Sequence, residues 1–360
     1  MKFMKVKGIC VGLAIALAPV AAQAQDPIEV RISFNQAETS PAWKEAIKVF
    51  GDELESESDG RFKVTHYPGE VLHTVGDGFR ATATGITDVT SAWPVYSANS
   101  FHLFHATELP LALPNSDVAA ARVVDELYPK YLKDEYERMG ILLAFNAVTP
   151  QYDILTTKPV KSIDDLKGLK IRAAGGGITE IVQRLGAIPV TMTITDAYTA
   201  FQQGVVDGII LSTADMVAYR MHEVGKYNYR IGVVRVAIPH AVNRKFYEGL
   251  PDDLKQVFAK AATNATYNYE MMYTRLTERA LETMRSEGVE VTEASETDLA
   301  KVNELVAPMW EAFVKANAGR EGASAEELVA DIRALTEKYS AMSDEQILQV
   351  KDSEPVEGLR

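Results

Sequence analysis

The stretch from Asp164 to Ser212 constrains the fold of this 360-residue chain more than any other. Residues 169–173 read as a strand. A small-residue turn over 173–177 follows, then a helix over 178–185 and a second strand over 188–192. An amphipathic helix over 196–203 and a third strand over 206–211 complete the block. This is βαβαβ order, the pattern of a parallel sheet with helices packed on it. Arg172 stands at the carboxyl end of the first strand, and open α/β sheets bind ligands outside those ends. A guanidinium placed there is a permanently charged, two-pronged partner for a carboxylate.

The same alternation runs through the rest of the chain. Strands are expected at 29–34, 62–67 and 88–93, with a helix over 41–57 whose apolar face is Trp43, Ala46, Ile47, Phe50 and Leu54. A helix over 75–84 precedes the third strand. Helices over 117–128 and 130–139 follow, then strands at 141–148 and 153–156, and beyond the central block strands at 227–231 and 233–239. Between Pro251 and Gly288 lie 36 residues without proline or glycine. As one helix they would span roughly 55 Å, too long for one small domain. They form either one helix serving two domains or two helices with an unmarked break. Helical patterns follow over 296–313 and 325–339, and residues 352–360 read as a frayed tail.

The amino terminus reads as a secretory leader. Lys2, Lys5 and Lys7 precede an apolar run over 8–22, and Ala22-Gln23-Ala24 has the form of a cleavage site. Removing residues 1–24 removes the single cysteine, Cys10, and with it any disulfide, cysteine-rich zinc site or thiol nucleophile. About 335 residues remain, enough for two domains held by their cores. The leader takes three lysines and no acid, leaving 34 basic against 50 acidic side chains and a net charge of −16. Such a chain is no partner for nucleic acid or an anionic membrane surface. No later apolar run is long enough to span a bilayer, so the expected location is the periplasm.

Five segments together resemble one family. They are SIDDLKGLKIR (162–172), LGAIPVTM (185–192), AYTAFQQGVVDG (197–208), YPGEVL (67–72) and NRKFYEGLPDDLKQVF (243–258). The chain is similar over nearly all of its mature length to the substrate-binding proteins of tripartite ATP-independent periplasmic (TRAP) transporters, C4-dicarboxylate-binding type. The resemblance implies an α/β, two-lobed periplasmic binding protein fold with a long inter-domain helix. Its expected lobes are residues 25–150 plus about 237–270, and 151–236 plus about 271–310, with 311–360 as C-terminal helices and tail. It implies a cleft closing on a small organic carboxylate, delivery to membrane permease subunits, and a monomer; the acidic and tryptophan residues that follow the Asp-Gly in metal-holding members are absent here, so no metal or other cofactor is expected. The family's carboxylate-binding arginine falls on Arg172. Where sialic-acid-binding members carry a second arginine and an asparagine, this chain has Tyr152 and Leu211. Both departures favour a smaller or more apolar monocarboxylate, aromatic rings included, over a hydroxylated sugar acid.

The remaining site expectations are local. Phe34 and Asn35 end the first strand and should face the cleft; Ser212 and Thr213 offer hydroxyls at the end of another. Trp93, also at a strand end, either covers a ligand or fills a core. Tyr152 and His73 take cleft positions from the family. The run Gly175-Gly176-Gly177 fits no nucleotide-binding spacing. It allows close backbone approach and a helix N-terminus facing an anion, or is a plain loop. His102, His105 and Glu108 have a spacing that could mimic a metal site, although Pro110 and the apolar context argue against it. A periplasmic hydrolase or isomerase is the rival class, but neither G-x-S-x-G nor H-E-x-x-H occurs. A ligand-loaded sensor subunit for a membrane receptor would share the same closed state.

Overall fold

The computed structural model describes residue 1 and residues 26–97, 99–320, 322–356 and 358. The leader beyond Met1, its cleavage site and Cys10 lie outside the described residues. Among these, the strands are β1 (Ile28–Phe34), β2 (Phe62–Pro68), β3 (Val89–Ser91), β4 (Ile141–Val148), β5 (Tyr152–Thr156), β6 (Lys170–Ala173), β7 (Ile188–Thr191), β8 (Gly208–Ser212), β9 (Tyr227–Arg230), β10 (Ala237–Asn243) and β11 (Glu290–Glu293). They form two sheets, ordered β2-β1-β3-β10-β4 and β11-β9-β5-β8-β6-β7. Each sheet is the centre of one lobe.

Neither sheet is wholly parallel, and the reason lies in the crossings. β1 runs parallel to β2 and β3, and β6 runs parallel to β7 and β8. β10 is antiparallel to β3 and β4, and β5 is antiparallel to β8 and β9. β5 and β10 are the first strands after each passage from one lobe to the other. They enter their sheets from the cleft and run away from it, whereas strands wound in by a local helix point their carboxyl ends at it. The two passages, near 149–152 and 231–236, hydrogen-bond to one another. Tyr152 N–H donates to Val234 O at 2.8 Å, and Thr149 N–H donates to Val236 O at 2.9 Å. The lobes are thus joined by a short paired ribbon.

One unbroken helix, Asp252–Ser286, occupies the proline-free stretch. At 1.5 Å per residue its 35 residues span about 52 Å. Its first half buries Leu254, Phe258 and Ala262 in the core of the first lobe, together with Phe50, Leu54 and Phe145. Its last turns bury Met284 in the other core. Tyr269 and Tyr273 lie between. The apolar face read over 41–57 is buried as expected, although its first turn, Trp43–Ile47, is π-helical.

Several elements differ from the sequence reading, among them the strand expected at 233–239, which runs over Ala237–Asn243. β11 joins the edge of the second sheet beside β9; four residues with two glutamates carry too weak a pattern to be seen as a strand. The helix expected over 296–313 is broken before Pro308 into Glu296–Val306 and Pro308–Asn317, because proline supplies no N–H to continue the ladder. The tail is more ordered than expected, since Asp352 and Ser353 finish a helix, Asp344–Ser353, that buries Ile347. Residues 357, 359 and 360 lie outside the described residues.

Candidate functional site

The carboxyl ends of β3, β6 and β8 converge between the lobes on a small cavity. Gln36, Trp93 and Tyr96 reach it from segments following β1 and β3. Tyr152, Arg172, Leu211, Asp215 and Tyr219 reach it from the second lobe, and Tyr273 from the long helix. Of the twelve described residues that line it, five are aromatic: Trp93, Tyr96, Tyr152, Tyr219 and Tyr273. Among the described residues, Arg172 is the only cationic one in it and Asp215 the only anionic one.

Arg172 is 1 % exposed. Its Nε and Nη2 donate to the carbonyl of Met192 at 3.1 and 2.9 Å, just beyond β7, and Nη2 also meets the Tyr96 hydroxyl at 3.3 Å. The motif ending in Met192 therefore supplies the carbonyl that aims the arginine. No ion pair to Arg172 is present among the described residues. A buried guanidinium without a counter-charge is costly, on the order of several kcal/mol, unless an anion arrives.

Tyr96 ties the lobes together at this point. Its hydroxyl accepts from Ile194 N–H at 3.2 Å as well as meeting Arg172. Gln36 Nε2 donates to the Tyr219 hydroxyl at 2.8 Å, a second bridge. Gly175 has φ +143°, and a Cβ there would lie 2.6 Å from the carbonyl oxygen of Val95. Of the roles open to the triple glycine, close backbone approach is what the first one performs. The helix it opens, Gly176–Arg184, starts beside Glu108: a Cβ on Gly176 would lie 3.7 Å from Glu108 Oε2.

The expected site residues divide into two groups. Arg172, Trp93 and Tyr152 line the cavity, and burial pushes the Tyr152 phenol well above its ordinary range. The Trp93 Nε1–H is buried without a hydrogen-bond partner. The other five are not in the wall. Phe34 packs against Trp43 and His240 in the first core. Asn35 is buried, with Ser91 Oγ donating to its Oδ1 at 3.5 Å. His73 bonds Ser33 Oγ at 2.7 Å and Thr90 Oγ1 at 3.1 Å, which ties a loop to β1 and β3. Ser212 caps the helix Thr213–Ala218 by accepting from Asp215 N–H. Thr213 donates to Asp153 Oδ2 at 2.9 Å. Phe34 turned to a core, and the polar groups of the other four met protein partners, which periodicity cannot foresee.

His105 and Glu108 pair with each other, Nδ1 to Oε2 at 2.7 Å. Among the described residues no cluster of three or more histidine, cysteine or acidic side chains could hold a metal ion, and no helix is long and apolar enough to cross a membrane.

Asp215, Tyr219 and Tyr273 are wall residues that sequence reading missed. Asp215 sits three residues after Ser212, a spacing that reads as helix capping. Burial pushes its carboxyl up to about 6, against hydrogen bonds from Ser212 and Tyr273. Tyr219 ends a short helix and Tyr273 is one of many apolar positions on a long one, so neither carries a local signal.

Comparison with known proteins bears on the fold and the family. The C4-dicarboxylate-binding periplasmic protein DctP of Rhodobacter capsulatus is 27 % identical over 338 residues, covering 92 % of this chain and 98 % of its own. A TRAP solute-binding protein from Rhodoferax ferrireducens, solved with copurified benzoate, superposes with TM-score 0.81 at 22 % identity, covering 87 % of this chain and 99 % of its own. A TRAP periplasmic solute-binding protein from Sulfitobacter, solved with β-D-galacturonate, superposes with TM-score 0.77 at 19 % identity, over 85 % and 99 %. These likenesses establish the two-lobed fold. Residues 32–317 match the family described as bacterial extracellular solute-binding protein, family 7. The chain therefore belongs to that family, the solute-binding components of TRAP transporters, and not to a family of enzymes.

Proposed function

We propose that this protein captures a small, mainly apolar monocarboxylate outside the inner membrane and delivers it to the membrane subunits of a TRAP transporter, with Arg172 holding the carboxylate. The observation that carries the reading is a buried guanidinium with no ion-pair partner among the described residues, facing a partly aromatic cavity between two lobes. The benzoate found in the Rhodoferax ferrireducens protein supports an aromatic acid. A C4-dicarboxylate, as the name of the Rhodobacter capsulatus relative suggests, would bring a second carboxylate. The second charged residue of this wall is Asp215, which would repel it. A sugar acid would bury several hydroxyls among aromatic rings, at about 1–3 kcal/mol for each left unpaired.

The reading includes a leader cleaved after Ala24 and release into the periplasm. It also takes residues 25–150 with about 237–270 as one lobe, 151–236 with about 271–310 as the other, and a monomer as the working unit.

A thermal-shift screen of organic acids, followed by calorimetric titration of the best binder, tests the function. Binding to the folded state raises the melting temperature, and aromatic and short aliphatic monocarboxylates are expected to do so while hexuronic and sialic acids are not. Arg172→Ala should weaken binding by roughly thirty-fold to several thousand-fold, from about 2–5 kcal/mol for removing one partner of a buried charge pair. A dissociation constant within about three-fold of wild type would place the anchor elsewhere.

A further inference from the structure

Asp215 is 7 % exposed, lines the same space as Arg172, and has no basic partner among the described residues. The groups that lean on it are hydroxyls: Ser212 Oγ donates to Oδ2 at 2.6 Å, and Tyr273 supplies another hydrogen bond. Helix capping alone does not account for it. The cap is made by Ser212 Oγ accepting the Asp215 backbone N–H at 3.1 Å, a contact that any residue at 215 provides. An acid in this apolar wall is costly to bury, and burial has raised its carboxyl to about 6, so at pH 7.5 it is ionised. An ionised carboxylate accepts hydrogen bonds and has none to donate. It repels the carboxylate of a bound acid, which strengthens the choice of Arg172 for that end.

Resting on the function proposed above, we propose that Asp215 is a second polar anchor that selects acids bearing a hydrogen-bond donor, a hydroxyl or amino group, at a position away from their carboxylate. The aromatic side chains that line the space together with the two anchors, Trp93, Tyr152, Tyr219 and Tyr273, hold the body of the ligand, and Asp215 reads its substituent. The ligand class is a substituted aromatic monocarboxylate rather than a bare one. Charge-assisted hydrogen bonds are about twice as strong as neutral ones. An acid whose donor is masked leaves Asp215 with only its two protein hydroxyls.

The test is titration at pH 7.5 of 3- and 4-hydroxybenzoate, of the corresponding methoxybenzoates, which keep the oxygen but lose its proton, and of benzoate. The proteins are wild type, Asp215→Asn and Asp215→Ala, with circular dichroism as the check on folding. Wild type is expected to favour one hydroxybenzoate over its methoxy partner by about ten-fold or more. The ratio should shrink to within about three-fold in Asp215→Ala and be reduced in Asp215→Asn. A purely structural role would change affinity for all five acids equally and leave the ratio intact, which overturns the proposal. If neither variant folds, the wild-type ratio decides alone, and no preference for the hydroxyl overturns the proposal. If benzoate binds in an Arg172-dependent manner without any hydroxyl preference, the second anchor is wrong while the function stands. If none of the five acids binds, the aromatic-acid reading fails and the Asp215 assignment falls with it.

Discussion

At the scale of single residues, the site depends on one oxygen as much as on one guanidinium. The Tyr96 hydroxyl meets Arg172 Nη2 and accepts Ile194 N–H, so it orients the arginine and joins the lobes at once. Tyr96→Phe keeps the ring and its packing 6.2 Å from Trp93 and removes only the oxygen. A hydrogen bond to a charged group contributes about 1.5–3 kcal/mol. The variant should therefore bind roughly ten-fold or more weakly, with the ligand-free melting temperature shifted little. Titration and thermal melting of the two proteins check this; equal affinity would mean that the hydroxyl is a bystander.

Two elements carry consequences of their own. The turn before the helix Gly176–Arg184 brings the Gly175 backbone against the carbonyl of Val95 in the other lobe. Its φ of +143° and the 2.6 Å approach leave no room for a methyl group. Gly175→Ala should hold the lobes apart without unfolding either one. Strain of this kind costs about 1–3 kcal/mol, so ligand affinity should fall about five- to a hundred-fold. Unchanged affinity on titration would show that the closed approach is not needed for binding.

The second element is the helix Asp344–Ser353, pinned by Lys351 Nζ to both oxygens of Glu270 at 2.8 and 3.0 Å. Glu270 is 1 % exposed on its side chain, and burial pushes its carboxyl up to about 7 despite the lysine. The folded state therefore keeps a proton between about pH 4.5 and 7 that the unfolded chain has released. This group's contribution favours folding on the acid side and is lost as pH rises through 7. Lys351→Met removes the opposing charge. Its stability loss in urea unfolding should reach about 3–5 kcal/mol at pH 8, as for other broken buried pairs, and be much smaller at pH 5, where Glu270 is neutral. A loss independent of pH would assign the effect to packing.

For the whole molecule, the cross-lobe contacts describe a closed arrangement: Tyr96 with Arg172 and Ile194, Gln36 with Tyr219, and Gly175 against Val95. The connections suit a hinge. Two crossing strands bond to one another as a ribbon, and one 35-residue helix packs into both cores. A ligand stabilises closure only through the contacts it makes in the closed state and lacks in the open one. Small-angle scattering should show a larger radius of gyration without ligand and a smaller one at saturation. An unchanged radius would mean that closure does not accompany binding.

What the sequence determined by itself is what short-range physics controls. The helix and strand periods, the breakers around the long helix, the order of strands in the central block and the carboxyl-end position of Arg172 all follow from local pattern, and the structure has them. The tertiary structure alone decided which strands turn antiparallel, because that depends on where the chain crosses between lobes. It likewise decided that Phe34 faces a core and that Ser212 and Thr213 spend their hydroxyls on Asp215 and Asp153. Asp215, Tyr219 and Tyr273 became neighbours of Arg172 for the same reason. They come from a capping motif, a helix end and the middle of a long helix, and only closing two lobes around one space brings them together. A cavity wall is a long-range object, and no local pattern encodes it.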